Sequence, residues 1–151
     1  KDGKNLEARG HMLTASSMGA TAFQKGLGAI HSLSHPVNSL FNIHHGLSNG
    51  IFLPYVITFN RSVIEKKISK LSEYLELEKK TFNAFVDWTL ELREKIKIPH
   101  KLSELVTLTN KDMELVAPMA LNDPCTPGNP KKTNLDDMRK MYEYSLEGKL
   151  F

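Results

Sequence analysis

One residue in 151 is cysteine and one is tryptophan. A lone thiol, Cys125, rules out a disulfide framework within the chain and suits a reducing, cytoplasmic compartment. No apolar run approaches the roughly eighteen residues that a membrane-spanning helix requires, so a membrane role is not expected. The opening residues have none of the features of a secretory leader, and the chain starts on Lys1 rather than methionine, as if cut from something longer. A formal charge of +3 is too small to argue for nucleic acid, and no basic run interleaved with aromatics makes a binding stripe. Alternating strand patterns, internal repeats and low-complexity segments are also missing.

Charge itself is scarce where it matters most. From His11 to Asn60 the only charged side chain is Lys25, whereas beyond Arg61 acidic and basic residues are present in equal number. A segment so poor in charge reads as interior, with the later helices wrapped around it. With 40% hydrophobic and 25% charged residues, the composition is that of an ordinary globular domain. The fold expected is all-α, an irregular multi-helix bundle forming a single domain over residues 1–151.

Helical spacing runs through most of the chain. Small and apolar residues from Asn5 to Phe23 (Leu6, Met12, Leu13, Ala15, Met18, Ala22) suit a packed helix, interrupted at Gly26 and Gly28. A second helix should carry Leu27, Ile30, His31, Leu33 and Ser34, with Pro36 kinking or ending it. Asn38, Ser39 and Asn42 are turn formers, and His45-Gly46 should open an apolar helix bent at Pro54. Ile64, Ile68, Leu71 and Leu75 mark one face of the next helix. Phe82, Phe85, Val86, Leu90 and Ile96 mark another, stopped near Pro99. Thr109 could cap a helix with Met113, Val116 and Met119 inward. Asn134 with Asp137 opens the last, which carries Leu135, Met138, Met141 and Tyr142. Residues Asn122 to Pro130 are too rich in proline and turn formers to be helical.

Inside the charge-poor segment stand three histidines, His31, His35 and His45, with no carboxylate nearby in sequence. His31 and His35 lie one helical turn apart, roughly 5–6 Å between Cβ atoms. On one unbroken helix His45 would sit roughly 20 Å from His31. Ligands of a shared metal approach to about 3 Å, given bonds of about 2 Å. A common site therefore requires the chain to reverse between them, and Pro36 to Asn42 holds the residues able to do so. Spacing alone leaves two readings open: metal ligands, or imidazoles satisfied by backbone carbonyls and solvent. His44 points elsewhere in most geometries, and His11 and His100 read as surface. A metal hydrolase would want an acidic base between paired histidines, and Ser32-Leu33-Ser34 offers none.

These same residues carry a resemblance. Gly26-Leu27-Gly28, then His31-Ser32-Leu33-Ser34-His35-Pro36, then His45-Gly46, resemble in order and spacing the iron-containing alcohol dehydrogenase family. Asp123-Pro124-Cys125-Thr126-Pro127-Gly128-Asn129-Pro130, followed by an acidic helix start, resembles that family's closing segment. The likeness spans the whole chain. It implies an all-helical C-terminal domain whose partner, an N-terminal dinucleotide-binding domain, is absent here. It implies His31 and His45 as metal ligands, with an aspartate and a histidine supplied from upstream. By the same resemblance His35 lines the active site and moves protons, and Cys125 falls in the substrate pocket; on its own a small buried hydrophobe describes Cys125 equally well. The implied activity is NAD- or NADP-linked interconversion of an alcohol and an aldehyde or ketone, with Fe(2+), or Zn(2+), as metal. The partners implied are a small alcohol or aldehyde substrate, the absent domain, and further copies of the same protein in a homo-oligomer. Asn38 departs from the family, which usually has glycine there. The rival reading is a non-catalytic helical interaction module with a histidine-rich core.

Overall fold

Side-chain caps mark where five of the seven helices begin among the described residues. The computed structural model describes residues 2–151. Asn5, His44, Thr81, Thr109 and Asn134 each accept a backbone N–H from the first turn of the helix that follows. At Thr109 and Asn134 the aspartate three residues on returns the bond, giving the two capping boxes that open the last two helices. The helices so delimited are α1 (Leu6–Phe23), α2 (Ala29–Phe41), α3 (His45–Phe59), α4 (Arg61–Tyr74), α5 (Phe82–Lys95), α6 (Asn110–Leu121) and α7 (Leu135–Glu147). Single 3₁₀ turns occur at Leu102–Glu104 and Thr126–Gly128, and no strand is found among the described residues. The fold is all-α, and no helix is long and apolar enough to cross a membrane.

The core lies where α2, α3, α6 and α7 meet. Leu33 and Val37 of α2 are fully buried, against Ile51, Phe52, Tyr55 and Val56 of α3, Val116, Ala117 and Ala120 of α6, and Met138, Met141 and Tyr142 of α7. Phe52 and Tyr142 meet edge to face with ring centroids 5.6 Å apart. The Tyr142 hydroxyl donates to Leu33 O at 2.7 Å, so the buried phenol is satisfied. Burying side chains of this size stabilises by about 1.5–3 kcal/mol each. That explains why α2 passes straight through Pro36. The missing N–H costs about 3 kcal/mol in a helix interior, and the burial of Leu33 and Val37 on either side of the proline offsets it.

Four expectations from sequence need correction. Helix α1 is not packed inside: none of its residues is buried, and Met12 and Leu13 are 70% and 72% exposed. Low charge there does not mean interior, because its apolar residues form no single stripe that could lie on the bundle. The reversal does not begin at Pro36; α2 continues to Phe41, Asn38 and Ser39 are helical, and the turn is confined to residues 42–44. The left-handed residue in it is Asn42, at φ 52°. Met119 of α6 is 38% exposed rather than inward; Leu71, Leu75 and Ile96 also face outward, because α4 and α5 pack chiefly on each other at the edge of the bundle.

The segment after α6 is pinned to the start of α2 by one buried asparagine. Asn129 exchanges two hydrogen bonds with Asn60 at the end of α3, 3.0 and 2.9 Å, and its Oδ1 also accepts from Ala29 N at 3.3 Å. Gly128 lies so close to this junction that a Cβ there would stand 2.0 Å from Leu27 O. Two backbones meet at that point, so no side-chain rotation can make room. Gly128→Ala should therefore cost about 1–3 kcal/mol of stability. Urea or thermal unfolding measures it, and an unchanged midpoint would show that the loop does not need this close approach.

Candidate metal centre

Helical periodicity puts His31, His35 and Asn38 on one face of α2, and His45 and Asn49 on one face of α3. The turn at residues 42–44 folds those faces together. The imidazole centroids of His31 and His45 are 5.2 Å apart, His31 and His35 5.9 Å, and His35 and His45 5.3 Å with the rings stacked at 16°. The three histidines singled out from sequence thus form one cluster. His44 instead caps α3, its Nδ1 accepting from Leu47 N at 3.4 Å, and His11 and His100 lie at the surface.

The hydrogen bonds define which nitrogen of each ring is free. Asn49 Nδ2 donates to His45 Nε2 at 3.0 Å and to His31 Nε2 at 3.3 Å. Both Nε2 atoms are therefore unprotonated, with lone pairs aimed at a common point. His45 Nδ1–H donates to Asn38 Oδ1 at 2.7 Å. Asn49 Oδ1 is buried with no partner, so within this site the amide is tied down only by the two imidazoles. His31 is also held neutral: burial first, then the neighbouring His45 and His35, push its pKa below the ordinary value against an opposing pull from Asp123. Two neutral imidazoles offering converging Nε2 lone pairs fit a divalent transition metal such as iron or zinc.

His35 differs from its neighbours. Its Nδ1–H donates to Asp123 Oδ2 at 2.8 Å, which leaves Nε2 free to accept a proton. Burial alone would raise the Asp123 pKa, but the hydrogen bonds from His35 and from Cys125 N (2.8 Å to Oδ1) outweigh it and hold the carboxyl below its usual range. The same carboxylate faces the Cys125 thiol. Burial, then the hydrogen bond to Asp123 and its negative charge, raise the thiol pKa to about 11. The expectation of buried imidazoles is thus corrected, whereas the carboxylate absent from the local sequence is supplied from a distant segment. His45 is exposed, the His35 side chain is 40% exposed, and Asp123 arrives 88 residues later in the sequence.

The family profile described as "Fe-containing alcohol dehydrogenase family, C-terminal" matches residues 1–146. The chain belongs to the iron-containing alcohol dehydrogenase family. It is 35% identical over 146 residues to an NADPH-dependent butanol dehydrogenase of Clostridium saccharobutylicum, an alignment covering 91% of this chain and 37% of that protein. With a 4-hydroxybutyrate dehydrogenase of Cupriavidus necator it shares 34% identity, over 97% of this chain and 40% of the relative. Among solved structures, that of a 1,3-propanediol oxidoreductase superposes with a TM-score of 0.86 at 28% identity, covering 95% of this chain and 39% of the other. The chain spans about two fifths of the length of these proteins, as the helical C-terminal domain of the iron-containing dehydrogenases.

Three polar residues of the site escaped sequence reasoning. Asp123 stood inside the proline-rich segment and read as a turn former. Asn49 lies four residues after His45, and that spacing was the available signal. Asn38 was noted only as a departure at a turn, yet it sits in helix α2 and touches His45. Phe23 is half-exposed with its ring edge-on to His31, centroids 6.2 Å apart.

With a pKa near 11, Cys125 is thiolate in only about one molecule in a thousand at pH 8. Iodoacetamide should label it slowly there, with the rate rising about tenfold per pH unit up to roughly pH 10. Asp123→Asn removes the charge that opposes thiolate formation and should speed labelling at pH 8. Rapid labelling at pH 8 in the parent, unchanged in the variant, would contradict this electrostatic account.

Proposed function

We propose that this chain is the metal-holding half of an NAD(P)-linked alcohol dehydrogenase that interconverts a small alcohol and its aldehyde or ketone. The observation that carries the reading is the pair of Nε2 lone pairs, on His31 and His45, directed at the single point that Asn49 Nδ2 occupies. His31 and His45 would hold the metal from this side, with further ligands and the dinucleotide site contributed by the remainder of a longer protein. When bound, the cation supplies Lewis-acid polarisation of the substrate oxygen and the nicotinamide carries the hydride. Ferrous iron is the metal we infer, with zinc equally compatible with neutral imidazoles. NADPH is named for the butanol dehydrogenase relative, and the choice between NAD and NADP belongs to the dinucleotide site in the remainder of the protein.

His35 moves the proton. Its Nε2 takes the alcohol proton in oxidation and returns it in reduction. Asp123, accepting Nδ1–H at 2.8 Å, holds the ring orientation and keeps the hydrogen on Nδ1 so that Nε2 stays available. His31 remains neutral because burial and its imidazole neighbours disfavour its protonation. Cys125, kept as a thiol beside Asp123, lines the pocket as a small uncharged surface. A lone thiol fits a reducing, cytoplasmic setting, and assembly as a homo-oligomer completes the proposal.

In the full-length protein His31→Ala should lose bound metal and activity together. His35→Ala should keep its metal, measured by elemental analysis, while turnover falls about 10²–10⁴-fold. Loss of metal from both variants would remove the separate role given to His35, and metal retained at the normal level in His31→Ala would remove the ligand pair itself.

A further inference from the structure

The His45 ring is exposed and sits at the first residue of α3, stacked on His35 with centroids 5.3 Å apart. Stacking leaves open which ring nitrogen carries the hydrogen, and a contact from the other helix decides it. Asn38 Oδ1, reached from α2 across the turn, accepts from His45 Nδ1–H at 2.7 Å. The Asn38 amide is locked in turn: its Nδ2 donates at 2.8 Å to Ser48 Oγ, and Ser48 Oγ donates at 2.9 Å to His45 O. Ser48 is fully buried, so this ring of three contacts begins and ends on His45 and leaves the amide one orientation that satisfies every member.

We propose that Asn38 is the positioning residue of His45: by accepting from Nδ1 it fixes the Nδ1–H tautomer and turns the Nε2 lone pair toward the point shared with His31. The inference rests on the reading of His45 as a metal ligand. A neutral imidazole has one hydrogen for two nitrogens, and a carbonyl oxygen can only accept. With the hydrogen committed to Nδ1, Nε2 is the nitrogen left for coordination, and the acceptance of Asn49 Nδ2 at that atom is consistent with it. Partners that orient ligating histidines in this way are typically worth about 10–100-fold in metal affinity. Ser48 acts one step further out, by holding the amide that holds the ring.

The test uses the full-length protein, with Zn²⁺ affinity measured by chelator competition and the His45 tautomer read from ¹⁵N shifts of the metal-free form. Unmutated protein should show His45 as Nδ1–H. Asn38→Ala should bind Zn²⁺ about 10–100-fold more weakly, with His45 no longer confined to one tautomer. Asn38→Asp, which keeps an acceptor at the same reach, should restore affinity to within a few-fold of the parent, a rescue that a packing role would not give. His45 found as Nε2–H in the unmutated protein, Asn38→Ala binding as tightly as the parent, or Asn38→Asp as weak as Asn38→Ala would each overturn the proposal. His45→Ala, run alongside, separates the two levels: undiminished Zn²⁺ affinity there sinks the ligand reading itself, and the positioning role with it. The tautomer measurement needs no substitution and so stands however the variants fold.

Discussion

A turn of three residues, 42–44, governs the chemistry of this domain. Asn42 takes the left-handed conformation, ending α2, and His44 caps α3 as soon as the chain has turned back. The two helices then lie against each other, and side chains fourteen positions apart in sequence come within 5.2 Å ring to ring. A longer connection would let α3 slide along α2 and lose that register. Neither helix is rigid by propensity alone, since each contains an interior proline; both are held by the apolar surface they bury on α6 and α7.

Around that register the polar atoms divide into two hydrogen-bonded halves with opposite tasks. Asn38, Ser48 and Asn49 surround His45 with neutral amides and a hydroxyl, which orient a ring without charging it. Asp123 gives His35 a carboxylate partner instead. His35 and His45, stacked 5.3 Å apart on different helices, are in this way given different partners, which is what the proposed division into proton carrier and metal ligand requires. Burial, reinforced by the same carboxylate, keeps Cys125 protonated, so neither a nucleophile nor a second anion stands beside His35.

Much of the helical outline was legible because its signals are local. Thr109 with Asp112 and Asn134 with Asp137 are capping boxes whose bonds span three residues, and the structure contains both. Periodic apolar residues found the buried faces of α5 and α7, through Phe82, Phe85, Val86, Met138, Met141 and Tyr142. The same logic failed at α1, where uncharged residues suggested burial although no stripe exists for the bundle to cover. It failed again at Pro36, because a proline's local cost says nothing about the packing on either side of it.

Sequence by itself determined the helices, their caps, the identity of the three imidazoles and their spacing, since these depend on residues a few positions apart. It also carried the family, because the order of the glycine, histidine and proline segments is a property of the chain. Only the tertiary structure decided that Asp123 reaches His35 across 88 residues, that Asn38 grips His45 rather than making a turn, and that Asn49 stands between two ring nitrogens. The physical reason is reach. A hydrogen bond selects its partner within about 3 Å in space, and proximity of that kind between distant residues exists only once the buried faces have packed.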